Sequence, residues 1–236
     1  MNLILLLPDD GIDGSGRVRL RGRRLTHVLD VHRAAAGDVL RVGLLGGGIG
    51  TGRVLQLTPE LLEMEVLLDL PPPLPLPLTL ILALPRPKVL RRVLRTAGAM
   101  GVKRIVLLNA RRVEKSYWQS PYLEAQAMDE QLLLGLEQAR DTILPEILSR
   151  PLFKPFVEDE LPGLIRGTLP LVAHPAATVE CPRNTDRTVT LAVGPEGGFI
   201  PYEVEKFSDC GFTPIRCGER ILSTETAVTA LLSRLF

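Results

Sequence analysis

Residues 189–208 read VTLAVGPEGGFIPYEVEKFS, from Val189 to Ser208. The apolar run Val189–Val193 predicts a strand covered on both faces, as in a parallel sheet. A proline suits the first turn of a helix, and Pro201–Ser208 is predicted to be one. Between them stands Gly194-Pro195-Glu196-Gly197-Gly198-Phe199. Glycines at such a turn let a ligand approach bare main-chain amides, and the helix start adds unpaired N–H donors.

The same alternation continues on both sides. Leu78–Leu84 is a continuous apolar run and predicts another buried strand. Lys88–Met100 has helical spacing, with Val89, Leu90, Val93, Leu94 and Ala97 on one face. Arg104–Leu108, Leu169–Ala173 and Thr213–Arg216 predict strands. Glu124–Ala139 and Ser223–Leu235 predict helices, the latter capped by Ser223 or Thr224. Strands alternating with helices imply an α/β fold with a mostly parallel sheet, whose ligand loops lie at the strand C-termini. Two further loops of that kind are His174-Pro175 and the stretch from Cys217 to Ala227, which leads into the last helix. On these grounds alone the region is a small-molecule binder.

Upstream, Pro71-Pro72-Pro73-Leu74-Pro75-Leu76-Pro77 puts five prolines into seven residues. Such a run continues neither helix nor central strand and favours a stiff extended connector. It predicts a first domain over 1–70, a linker over 71–77 and a second domain over 78–236. In the first, Asp38–Leu44, Gly52–Leu57 and Met64–Leu70 are predicted strands, and His27–Ala36 a short helix or turn. Several short strands with glycine turns predict a small β-barrel. Gly43, Gly46, Gly47, Gly48, Gly50 and Gly52 are expected to make a hairpin loop that needs positive φ. No helix pattern or GK[ST] follows them, so a nucleotide loop is disfavoured.

Apolar residues form 45% of the 236-residue chain and charged residues 23%, which excludes a disordered protein. Leu3–Leu7 is too short for a signal-peptide core, and no stretch approaches the roughly 20 apolar residues of a membrane helix. A cytoplasmic protein without membrane partners is expected. Cys181, Cys210 and Cys217 make no CxxC pair, and with three scattered histidines no metal site is expected. Net charge is only +1, yet Arg86–Lys115 holds ten basic residues against one acidic residue, Glu114. A second cluster comprises Arg17, Arg19, Arg21, Arg23 and Arg24. Two separated clusters in a nearly neutral chain suggest a phosphate track. We expect the N-terminal cluster and, from the larger one, Arg86, Lys88, Arg91, Arg92, Arg111, Arg112 and Lys115 to contact nucleic-acid phosphates.

The glycine loop 194–199, followed by Arg220-Ile221-Leu222 and Thr224-Glu225-Thr226-Ala227, closely resembles the paired signature of the ribosomal RNA small-subunit methyltransferase E family. His174-Pro175, Gly101-Val102 before the strand at Arg104, Glu137-Gln138 with Arg140 and Pro145, and His27–Arg41 fit the same family. The likeness therefore spans nearly the whole chain. It implies a SPOUT trefoil-knotted domain that forms a homodimer, preceded by a PUA-like β-barrel. It also implies S-adenosyl-L-methionine as cofactor and methylation of a uridine N3 in 16S rRNA or the small ribosomal subunit. By motif, the expected cofactor residues are His174, Pro175, Gly194, Glu196, Gly197, Gly198, Gly218, Arg220, Ile221 and Leu222.

Three positions depart from the family pattern. Ser223 stands where arginine is usual, Pro85-Arg86-Pro87-Lys88 replaces a Lys-Gly-Asp-like segment, and Arg140 follows Gln138 by two residues instead of three. A non-catalytic or retargeted paralogue, acting as an RNA-binding or ribosome-assembly factor, is the alternative these departures keep open. Arg140 and Arg220 are the candidate catalytic residues, as cations that stabilise negative charge on a uracil ring. Glu196 lies before a helix N-terminus, which favours its carboxylate form and weakens it as a base.

Overall fold

The structure, a computed structural model, describes residues 2–236. They form two compact units: one runs to Leu74 and takes in Leu133–Leu144, the other comprises Pro75–Leu132 and Pro145–Phe236.

The first unit contains β1 (Ile4–Leu6), β2 (Arg17–Leu20), the short α1 (Arg23–His27), β3 (Val39–Leu44), β4 (Ile49–Leu57) and β5 (Leu62–Leu70). The sheet order is β1-β3-β4-β5-β2, with β1 parallel to β3 and the other pairs antiparallel. Ile4 and Leu6 of one edge strand share a core with Val18 and Leu20 of the other, so the sheet curls around a single apolar centre. Leu3 and Leu5 point the opposite way and pack with Ile49 and Leu136. The period of two in a strand thus explains why the whole run from Leu3 to Leu6 is apolar.

The glycine-rich segment makes the expected hairpin turn between β3 and β4, but positive φ accounts for only one of its glycines. Of its six glycines only Gly46 has positive φ, at 76°. Gly43, Gly50 and Gly52 lie within β3 and β4, and close packing explains them. A Cβ on Gly50 would overlap the Leu67 carbonyl oxygen, and one on Gly52 would lie 2.8 Å from Val42 Cγ1.

In the second unit the strands are β6 (Leu78–Ala83), β7 (Arg104–Leu108), β8 (Glu146–Arg150), β9 (Leu169–Ala173), β10 (Val179–Glu180), β11 (Val189–Val193) and β12 (Thr213–Arg216). All pairs are parallel, in the order β10-β12-β9-β11-β6-β7-β8. The helices are α2 (Pro87–Ala99), α3 (Ala125–Ala139), whose last residues fall in the first unit, the short α4 (Phe153–Pro155) and α5 (Leu161–Leu164), α6 (Pro201–Asp209) and α7 (Thr224–Leu235). β11 is buried along its full length, as its apolar run requires. Leu90, Val93, Leu94 and Ala97 form the buried face of α2. Phe207 of α6 packs its ring against those of Phe199 and Phe212, tilted to each, with centroids 5.1 Å apart in both contacts. Ser223 occupies the cap position of α7, but its hydroxyl caps no backbone amide; it bonds Thr226 Oγ1 at 2.9 Å instead.

Candidate functional site

Parallel strands end on the same edge of a sheet, so the loops after β9, β11 and β12 meet there. They enclose a cavity of about 290 Å³, closed on one side by Thr224, Ala227 and Leu231 of α7. All ten residues expected to hold the cofactor line it.

The first loop is tied to its neighbour by the His174 amide, which donates to the Ile215 carbonyl at 2.9 Å. His174 Nδ1 accepts from the Ala176 amide at 3.3 Å, so that lone pair is engaged with the main chain.

The second loop is tight. The Gly198 amide donates to the Pro195 carbonyl at 2.7 Å, and Gly198 has φ 70°. At Gly194 a Cβ would come within 2.9 Å of the Phe199 nitrogen, so only glycine lets the loop fold back on itself. Neighbouring strand ends hold it: Glu196 Oε1 accepts from the Arg86 amide at 2.9 Å, and the Arg112 guanidinium donates to the Gly197 carbonyl. Glu196 is therefore engaged as an acceptor. Phe199 is buried and anchors the end of the loop.

The third loop leaves β12 through Arg216, Cys217 and Gly218, the last with φ 78°. Glu180 on β10 accepts from Arg216 Nε at 2.7 Å, from an Arg234 guanidinium nitrogen at 3.1 Å and from the Gly218 amide at 3.4 Å. The Arg216 hydrogen bond is the main cause that holds the Glu180 carboxyl below its ordinary value. Arg220 and Ile221 complete the rim, and Ile221 is 84% exposed although it lines the cavity. An apolar side chain in water beside a cavity is suited to covering a bound ring.

Several lining residues were not anticipated. Cys217, Thr224 and Ala227 stood inside the motif already singled out, and Leu231 follows Ala227 by one helical turn. Arg216, at a strand end, carried no signal. Arg140 is not among the lining residues: it follows the end of α3 with φ 60°, within the first unit. Burial pushes the Cys181 thiol up to about 11. Among the described residues no cluster is able to hold a metal ion, and no helix is long and apolar enough to cross a membrane.

The basic residues fall into two kinds. Arg17 and Arg21 are exposed, and Arg19 faces Glu63 at 3.4 Å. Arg23 makes a two-point bond to buried Glu137, at 2.9 and 2.7 Å, and Arg24 grips Asp10 and the Leu5 carbonyl. These two are committed to their own unit. In the second unit Lys88, Arg111 and Lys115 are exposed, Arg92 pairs with Glu225 at 3.2 Å, and Arg91 lies 5.1 Å from the centre of the Tyr122 ring. A hydrogen bond with Tyr117 holds the Arg86 guanidinium above its ordinary value.

The fold recurs in known proteins. The model of the RNA methyltransferase domain family matches residues 72–236. The ribosomal RNA small subunit methyltransferase E of Treponema pallidum is 29% identical over 244 aligned positions, covering 98% of this chain and 88% of that protein. A crystal structure of the enzyme of the same name from Neisseria gonorrhoeae, bound to S-adenosyl methionine, superposes with a TM-score of 0.75 at 22% identity, over 99% of this chain and 95% of the other. A putative methyltransferase from Legionella pneumophila, in complex with the same cofactor, gives 0.75 at 24% identity, over 98% and 95%. The fold is shared with these structures.

Proposed function

We propose, from the premise that this chain belongs to the RNA methyltransferase domain family, that it methylates N3 of a uridine in 16S rRNA with S-adenosylmethionine as donor. The observation that carries this reading is the convergence of three loops, two of them glycine-bearing, on one cavity at the C-terminal edge of β9, β11 and β12. Likeness to proteins named ribosomal RNA small subunit methyltransferase E over nearly the whole chain supports the choice of RNA, and the choice of atom rests on the motif resemblance alone.

The cavity suits such a cofactor. Val193, Leu222, Ala227 and Leu231 offer apolar walls for an adenine ring, while loop amides and Glu196 offer polar partners. When bound, S-adenosylmethionine supplies a methyl group activated by a positively charged sulfur. The chain's own task is to hold the acceptor nitrogen in line, exclude water and favour loss of the N3 proton. Arg220, on the rim, is the residue we assign to stabilising the negative charge that the uracil ring then carries. The knotted domain, the PUA-like barrel, the homodimer and a cytoplasmic setting, all implied by the resemblance, belong to the same proposal.

RNA contact is assigned to the exposed cations Arg17 and Arg21 in the first unit and, in the second, to Arg86, Lys88, Arg111, Arg112 and Lys115, together with half-buried Arg91. Binding through phosphates positions the RNA, and one splayed base enters the site.

A second reading rests on Ser223, whose exposed hydroxyl is bonded to Thr226 beside the cavity. It is that of a paralogue with another RNA target, or one that binds without turnover. The test is transfer of labelled methyl to small ribosomal subunits lacking the modification, followed by nucleoside chromatography. Label in N3-methyluridine is expected. Label in another nucleoside assigns another target, and cofactor binding without transfer supports the non-catalytic form.

A further inference from the structure

Glu203 stands in the first turn of α6 and is only 3% exposed. A carboxylate shielded from water needs donors for its oxygens. Glu203 finds two, both main-chain amides, on separate parts of the chain. Its Oε2 accepts from the Ile200 amide at 2.9 Å, and its Oε1 from the Arg111 amide at 2.6 Å. The Ile200 amide closes the glycine loop of the cavity. The Arg111 amide lies in the loop after β7, whose next residue, Arg112, donates to the Gly197 carbonyl.

The glycine loop needs such help. Gly194, Gly197 and Gly198 have no side chains to hold their conformation, and free glycine backbone has much freedom to lose. Besides its internal Gly198–Pro195 hydrogen bond, the loop is held from outside, at Gly197 by Arg112, at Phe199 by the ring of Phe207, and at Ile200 by Glu203. Glu203 and Phe207 are four residues apart on α6, so they present one face to the loop.

We propose that Glu203 is a positioning residue for the cofactor: it ties Ile200 to Arg111 and so holds the amides of residues 194–198 in their binding arrangement. The proposal rests on the cavity being an S-adenosylmethionine site. In Glu203→Gln an amide NH₂ replaces one oxygen and faces a backbone N–H, so one donor loses its acceptor. Glu203→Asp keeps both oxygens on a stem shorter by one carbon.

The experiment titrates S-adenosylmethionine into full-length wild type, Glu203→Gln and Glu203→Asp by calorimetry, with kcat and KM measured on small-subunit RNA. Glu203→Gln is expected to raise Kd and KM for S-adenosylmethionine about tenfold or more, with kcat at saturating cofactor and RNA affinity kept within about twofold. Glu203→Asp is expected to recover part of the loss. A lower thermal midpoint with unchanged cofactor affinity would overturn the assignment. Should Glu203→Gln not fold, hydrogen exchange on the wild type decides. Joint slowing of the Ile200 and Arg111 amides by S-adenosylmethionine supports the tie, and slowing of Ile200 alone overturns it. Wild type that binds no S-adenosylmethionine contradicts the functional reading itself. Equal binding by wild type and Glu203→Gln contradicts only the role of Glu203.

Discussion

At the scale of single residues, charged side chains decide the shape of the cavity's third loop. Glu180 receives Arg216, Arg234 and the Gly218 amide, and its carboxyl is held below the ordinary value chiefly by Arg216. A carboxyl lowered in the folded state contributes stability above its unfolded value of about 4. That contribution is lost as pH falls through the lower folded value. The thermal midpoint of Glu180→Gln is therefore expected below that of wild type at pH 7, with the gap closing at acid pH below about 4; a gap independent of pH contradicts this origin. Arg220 belongs to the same loop. Arg220→Ala is expected to slow transfer about tenfold or more with cofactor saturating, and an unchanged rate removes the arginine from the mechanism. Arg140→Ala is the parallel test of the other expected arginine.

At the scale of elements, the packing of β4 on β5 depends on Gly50. Its Cβ position coincides with the Leu67 carbonyl of the neighbouring strand, which is backbone and does not step aside as a side chain would. Gly50→Ala is expected to destabilise the protein by about 2 kcal/mol or more in urea unfolding, whereas Gly14→Ala, with open space at its Cβ, is expected to cost far less. This contrast also shows where sequence patterns stop. The inner strands β6, β7, β9 and β11 were legible because packing on both faces of the sheet demands nearly continuous apolar runs. β8 and β10 lie toward or at the sheet edges, and their mixed sequences, Glu146–Arg150 and Val179–Glu180, carry no such demand. The glycine cluster was visible as a hairpin turn, which Gly46 serves with its positive φ, but for Gly50 and Gly52 the physical cause is a close approach between strands. The ten cavity residues were legible through local motifs. Glu203 and Arg24 were not legible as partners, because Glu203 meets Arg111 and Arg24 meets Asp10 only after folding.

At the scale of the whole molecule, a net charge of +1 hides an uneven distribution. Arg23, Arg24 and Arg92 are paired with Glu137, Asp10 and Glu225, so they are worse placed to meet phosphates than the raw count suggests. Binding of small-subunit RNA should still weaken steeply with salt, since about five neutralised phosphates imply a loss of roughly a hundredfold or more between 50 and 200 mM. Affinity that ignores salt contradicts the phosphate track. On the proposed function, the loops after β9, β11 and β12 form a methyl-donor site and not a phosphate site. Its most direct test is calorimetric titration of the full chain with S-adenosylmethionine and, separately, with ATP. One S-adenosylmethionine bound per chain, with ATP far weaker, is the predicted result. Preference for ATP, with S-adenosylmethionine unable to displace it, would contradict the account.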